Sequence, residues 1–305
     1  MSVSNMSEAA AKSLGSANSY AVYTDKFDAT QLNPMPRILA RQDWDIKGDE
    51  FVGYDTWHCH EATFLLNNGL PIAGTLKIVC PASSEFMVES KSFKLYLNTF
   101  DMCKMGDKIH EAIENYENQV AKDISECIQA EAKVSFFKEG DQKLYEENPG
   151  EGYYDLFQLI GSKALQEMQI EDYSGKENHF NIIPAKTADD ISVMTGILRS
   201  RCRHTKQKDT GAAYFHITTK KGRVDLESLL KEVIALREVN EFHEFCSEKL
   251  FKAITANPEV EDCVVMLLYS RRGSLDINPV RATKEELIPR ALIDTGYYTT
   301  KAMGQ

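Results

Sequence analysis

Twice along its 305 residues this chain runs from strand-length apolar segments into a long amphipathic helix, and that doubled pattern most limits how it folds. In the first half, 72–79, 86–89 and 93–100 read as strands. Ile109, Ile113, Tyr116, Val120, Ile124 and Cys127 then recur at helical spacing over about 108–129, and 132–137 is again β-rich. In the second half, 192–198 and 213–219 precede a helix expected over about 226–254. Its stripe is Leu226, Leu229, Leu230, Val233, Ile234, Phe242, Phe245 and Phe251, and Asn257-Pro258 stops it. A strand at 263–270 follows. Two α+β modules fit this order, each an antiparallel sheet with helices packed on one face. The expected division is a loosely attached arm at 1–30, a first module at 31–138, a connector at 139–177 and a second module at 178–305.

Composition narrows the function. With 35 Lys and Arg against 46 Asp and Glu the net charge is −11, which argues against a broad nucleic-acid surface. The imbalance is local: 139–177 holds ten acids and three lysines, a net −7. Arg199, Arg201, Arg203, Lys206 and Lys208 crowd together elsewhere, a basic patch suited to a small anionic ligand. The longest apolar run, 263–269, is seven residues, whereas a membrane helix needs about twenty. The first residues carry no apolar signal segment, so a cytoplasmic protein is expected. Seven cysteines without a Cys-x-x-Cys pair read as reduced thiols.

Four segments carry candidate chemistry. ESKSFKLYLN at 89–98, read as a strand, puts Glu89, Lys91 and Phe93 on one face and Ser90, Ser92 and Lys94 on the other. A carboxylate, hydroxyls and ammonium groups so close suit a polar heterocycle and a phosphate; a solvated edge strand guarded by lysines is the plain alternative. At 202–209, Cys202 sits among cationic residues, which favour the reactive thiolate, and Asp209 is placed to exchange protons; a buried cysteine beside a polar loop is the alternative. At 241–246, inside the expected helix, His243 and Glu244 lie about 100° apart and border one cavity, or else form a surface pair. At 269–279, Arg271-Arg272 before Gly273 offer a fork for phosphate oxygens, against a plain turn. His58-Cys59-His60-Glu61 offers four metal-ligand types in a row, but neighbours in an extended chain point apart, and no metal is expected. No phosphate loop or Gly-x-Gly-x-x-Gly fingerprint is present.

Taken in order, these four segments resemble the NADPH-dependent 7-cyano-7-deazaguanine reductases, the nitrile reductases of queuosine biosynthesis, in their long two-module form. ESKSFKLYLN is the most specific element, followed by Cys-x-x-Thr-x-Gln-x-Asp at 202–209, Glu-Phe-His-Glu at 241–244 and Arg-Arg-Gly-x-Leu-Asp-Ile-Asn-Pro at 271–279. The resemblance covers about 20–290. It implies two tandem tunnelling-fold (T-fold) modules and a homodimer, with neither nucleic acid nor membrane as direct partner. Cys202 would be the nucleophile that forms a thioimide with the nitrile, and Asp209 the acid/base. Val88, Glu89, Ser90, His243 and Glu244 would bind the substrate, and Ser90, Lys91, Arg272 and Gly273 would contact NADPH. The product would be 7-aminomethyl-7-deazaguanine.

Departures from the family pattern gather in one loop. Arg203-His204 replace an apolar pair, Lys208 a proline and Thr210 a tryptophan, so the loop loses a proline restraint and gains charge. His58-Cys59-His60 also stands where relatives tend to carry apolar residues. Two other readings stay open: an amidinotransferase-like enzyme forming a thioimide without NADPH, and a purine-binding module without catalysis.

Overall fold

The computed structural model describes residues 26–203 and 205–299, so 1–25 of the expected arm and His204 lie outside the described residues. Its frame is one eight-stranded sheet of β1 (Val52–Leu65), β2 (Pro71–Pro81), β3 (Lys133–Lys138), β4 (Tyr154–Asp155), β5 (Asp190–Arg201), β6 (Lys208–Thr219), β7 (Val260–Tyr269) and β8 (Leu275–Ala282). Across the sheet the order is β3-β2-β1-β8-β7-β6-β5-β4, antiparallel throughout except that β4 runs parallel to β5. The order shows how the halves meet. Strand β8, late in the chain, pairs with β1, from Leu275 opposite Cys59 to Ala282 opposite Val52. The two halves therefore share one continuous sheet.

Five helices frame the site: α1 (Arg37–Asp43), α2 (Ser90–Asn98), α3 (Ile109–Ile128), α4 (Leu226–Ala235) and α5 (His243–Thr255). In one core, Trp57, Phe64 and Leu76 pack against Phe93, Tyr116, Val120 and Ile124. In another, Phe215, Val265 and Leu267 pack against Leu229, Val233, Leu250 and Phe251. Both lie on one face, because Val265 stands opposite Arg281, and Arg281 and Ile277 share a side of β8. Helices α2 to α5 pack on this face as expected, whereas a short helix at Arg290–Ile293 packs on the other. The other face is covered by Ile288 and Leu292 from the end of the chain, which close over Tyr214, Val264, Met266 and Val280.

Two elements depart from the expected order. The segment 93–100 is not a strand: Ser90–Asn98 is helical, which leaves Phe93, Tyr96 and Leu97 at helical spacing in the core. The deciding interaction is local. Glu89 caps the helix, its carboxylate accepting from Lys91 N and Ser92 N, and so satisfies two of the amides that a helix start leaves free. The helix expected over 226–254 is two helices, separated at Val239 and Asn240, poor helix formers whose segment joins β5 instead. Arg201 N donates to Val239 O and Glu241 N to Arg201 O. The break makes His243 and Glu244 the first turn of α5 rather than its middle. The segment 139–177 contributes β4, and its Leu156 is wholly buried in the second core.

Candidate active site

The N-terminal ends of α2 and α5 and the loops after β5 and before β8 converge over the seam between β1 and β8, around a cavity of about 650 Å³. Val88, Glu89, Ser90 and Lys91 line it from the first half, and Cys202, Asp209, His243, Glu244, Arg272 and Gly273 from the second. The ten residues to which the resemblance assigns roles therefore all line one space, whereas Arg271 does not line it. Two helix N-termini at its edge favour ligands that carry negative charge.

Glu89 has a double task. Its two oxygens accept from Lys91 N at 2.9 Å and Ser92 N at 2.7 Å, and Ser92 Oγ donates to Glu89 O at 2.7 Å. Asn33 braces the same turn, with Asn33 N donating to Ser92 Oγ at 3.1 Å and Glu89 N to Asn33 O at 3.0 Å. A carboxylate has about four acceptor positions, so Glu89 keeps acceptor capacity toward the cavity.

Across the cavity, the His243 ring lies flat on Tyr269, with ring centres 3.6 Å apart and planes 5° from parallel. His243 Nε2 stands 3.6 Å from Asp209 Oδ2, and Nδ1 has no hydrogen-bond partner. The other oxygen of Asp209, Oδ1, is held by Arg272 Nη1 at 2.8 Å. Arg272 is fixed in turn: it donates to Lys208 O, and Lys94 Nζ donates to Arg272 O at 2.8 Å. At Gly273 φ is +62°, a left-handed turn that glycine adopts without strain, and an added Cβ would stand 3.1 Å from Lys94 Nζ. Lys94, half-buried, has its ammonium pKa lowered, by burial first and then by Arg272.

Cys202 is half-buried at the start of a closed loop: Cys202 N donates to Gln207 O at 2.8 Å, and Lys206 N to Cys202 O at 3.0 Å. Arg203 Nη1 donates to both oxygens of Glu241 at 3.1 and 3.0 Å. That shared contact ties the loop to the segment before α5.

Beneath the pocket runs a buried charge ladder that local sequence gives no sign of. Arg37 Nη2 donates to Asp55 Oδ2 at 2.6 Å, and Arg281 Nη1 to Asp55 Oδ1 at 2.9 Å. Arg281 Nη2 and Arg41 Nη2 then meet at Glu248 Oε1, at 2.9 and 2.7 Å. Glu244 lies against this ladder, buried, with its Oε1 unpartnered. Burial raises its pKa to about 8, and repulsion from Asp55 adds to that; its own backbone N–H, Arg37 and Arg281 oppose. The ladder's partners lie 18 to 226 residues apart, which is why no spacing rule finds them.

His58-Cys59-His60-Glu61 does not converge. His58 Nδ1 and His60 Nε2 meet the two oxygens of Asp276 at 2.8 and 2.5 Å on the opposite face of the sheet, while Cys59 is buried in the first core. Among the described residues no group of three or more such side chains is arranged to hold a metal ion. All seven cysteines are free thiols, and no described helix is long and apolar enough to cross a membrane.

The pocket thus brings a thiol together with acidic and basic groups. Residues 23–136 match the family model described as nitrile reductase, 7-cyano-7-deazaguanine-reductase N-term. The match supports a relationship to the nitrile reductases of queuosine biosynthesis, and it spans Glu89, Ser90 and Lys91. Cys202, Asp209, His243, Glu244, Arg272 and Gly273 lie beyond the matched residues.

Proposed function

We propose that this protein reduces the nitrile of 7-cyano-7-deazaguanine to the aminomethyl group of 7-aminomethyl-7-deazaguanine at the expense of two NADPH. The observation that carries the reading is one cavity joining the family-matched Glu89, Ser90 and Lys91 to Cys202 and Asp209 from the other half of the chain. The halves on their shared sheet are read as two tandem T-fold modules, and the protein as a cytoplasmic homodimer.

A nitrile is a weak electrophile, and a thiolate is a strong nucleophile for it. Cys202 Sγ adds to the nitrile carbon, forming a C–S bond as one C–N π bond breaks. The thiol proton passes to nitrogen by way of Asp209 Oδ2, the oxygen that Arg272 leaves free. His243, parallel to Tyr269, orients that oxygen from the other side. The resulting thioimide is electrophilic enough to accept hydride. After the first of two hydrides that NADPH would supply, the C–S bond breaks, Cys202 leaves as the thiol and an imine remains to take the second, with water supplying the remaining protons. Ser90, Lys91, Arg272 and Gly273 fit a phosphate-bearing cofactor, since the cations gather at a glycine turn beside a helix N-terminus. Glu89 and Glu244 supply carboxylate acceptors for the N–H edge of a guanine-like base.

Nicotinamide absorbance tests the reading. The protein mixed with limiting 7-cyano-7-deazaguanine is expected to oxidise two NADPH per substrate consumed. Consumption of substrate with ammonia but no NADPH would indicate the amidinotransferase-like chemistry. Tight binding without turnover of either kind would leave a purine-binding module.

A further inference from the structure

Under the floor of the pocket lies a second, much smaller cavity of about 10 Å³, space for about one water molecule. Arg37, Asp55 and Glu244 reach it among apolar side chains such as Trp57 and Phe93. Two buried polar atoms of these residues have no hydrogen-bond partner: Arg37 Nη1, a donor, and Glu244 Oε1, an acceptor. Both residues are only 1% exposed. Arg37 has no freedom to turn elsewhere, because Nη2 is held by Asp55 at 2.6 Å and Nε by Ser84 at 3.1 Å. Nη1 is its one uncommitted arm.

We propose that Arg37 is the positioning residue for Glu244: across the small cavity it holds that carboxyl in place and draws it into its charged form when a ligand offers N–H donors, so that binding expels a proton. The proposal rests on the reading of Glu244 as a substrate-binding residue. A guanine-like edge presents two donors side by side, and a neutral carboxylic acid, with one donor of its own, mismatches it. In the ligand-free protein Glu244 is mostly neutral at pH 7, since its pKa is raised to about 8, by burial first. The charged groups around it are accounted for. Asp55 of β1 repels it but is neutralised by Arg37 and Arg281, and Glu248 of α5 is matched by Arg41 and Arg281. The Cys80 thiol of β2 is pushed above its ordinary value by burial first, and so stays neutral. Glu89 lines the pocket beside Glu244 but is spent partly on the α2 cap, and His243 is turned toward Asp209.

The test is calorimetric titration of Cys202→Ala protein, which binds without bond formation, with 7-cyano-7-deazaguanine in two buffers of different ionisation enthalpy. About one proton is expected to leave per ligand bound at pH 7. Affinity should rise about tenfold per pH unit between pH 6 and 8 and then level off. Adding Arg37→Met should weaken binding about tenfold at pH 7 and move the levelling to higher pH; Arg37→Lys should recover part of the loss. Glu244→Gln should abolish the proton release. Unchanged pH dependence in Arg37→Met, or proton release surviving Glu244→Gln, overturns the proposal. If Arg37→Met does not fold, Arg37→Lys decides: it keeps the charge without the fixed fork, and wild-type affinity there contradicts a positioning role. A folded Cys202→Ala protein that binds no 7-cyano-7-deazaguanine at any pH instead overturns the functional reading, and this inference with it.

Discussion

The two faces of the central sheet bury polar side chains in opposite ways. On the face opposite the long helices, Asp276 is bonded through both oxygens by His58 and His60, and Asn278 Nδ2 adds a third donor at 2.5 Å. Lys77 Nζ, also buried there, donates to Ala291 O, Asp294 O and Tyr297 O at 2.6, 2.9 and 2.7 Å. Only His58 Nε2 goes unpartnered among these groups. On the helix face, by contrast, Glu244 Oε1, His243 Nδ1 and Arg37 Nη1 all lack partners around or beneath one cavity. A buried polar atom without a partner costs about 1–3 kcal/mol. Where such atoms cluster, a ligand that satisfies them recovers that cost. The first face fastens the end of the chain to the sheet; the second is built to be filled.

The largest expected effect falls on the second face. Cys202→Ala should lower turnover on the order of 10³-fold or more while leaving the melting temperature nearly unchanged, since the thiol is half-buried in a loop. Wild-type turnover in that variant would move the chemistry elsewhere.

Next comes the opposite face. Asp276→Asn should cost about 3 kcal/mol of stability at pH 7, because it breaks a buried pair and leaves two histidines facing a neutral amide. Burial works against the Asp276 carboxylate, but His58 and His60 outweigh it and hold its pKa below the usual range. A depressed carboxyl stabilises fully above the unfolded value of about 3.9, and the contribution fades as pH falls toward the folded value. Denaturant melts should therefore show the gap between wild type and variant narrowing below about pH 4. Turnover of the folded variant should stay within about twofold. A selective loss of turnover without loss of stability would break the distinction between the faces.

The smallest effect tests the join between fold and site. Ser92→Ala removes the bonds to Glu89 O and from Asn33 N, at about 1 kcal/mol. Because the same turn aims Glu89, KM is expected to rise a few-fold with kcat held, and an unchanged KM would separate Ser92 from the pocket.

Helix α3 was legible in the sequence nearly to the residue, because its apolar stripe is long and regular. Strands β2, β5, β6 and β7 were legible as β-rich apolar runs. Strand β8 was not: Asp276, Asn278, Pro279 and Arg281 deny it any apolar run, and each buried polar group finds its partner only in the folded chain. Helix α2 was misread because a short apolar run suits either period, and the Glu89 cap decides between them. Most of the candidate residues that line the cavity are named by four ordered motifs, while Val88 lies just outside the first of them. Arg37, Asp55 and Glu248 were not, since their partners are set by tertiary contacts far apart in sequence. One signal was available in part: Arg281 is a charged residue inside a segment that must be buried to follow β7.

The central claim is that Cys202 attacks the nitrile, and intact-protein mass spectrometry tests it most directly. Protein incubated with 7-cyano-7-deazaguanine and no NADPH should gain the mass of one ligand per chain. The gain should map to Cys202, be absent from Cys202→Ala, and disappear when NADPH is added. A folded, ligand-binding protein that never gains that mass, or gains it equally in Cys202→Ala, would contradict the account.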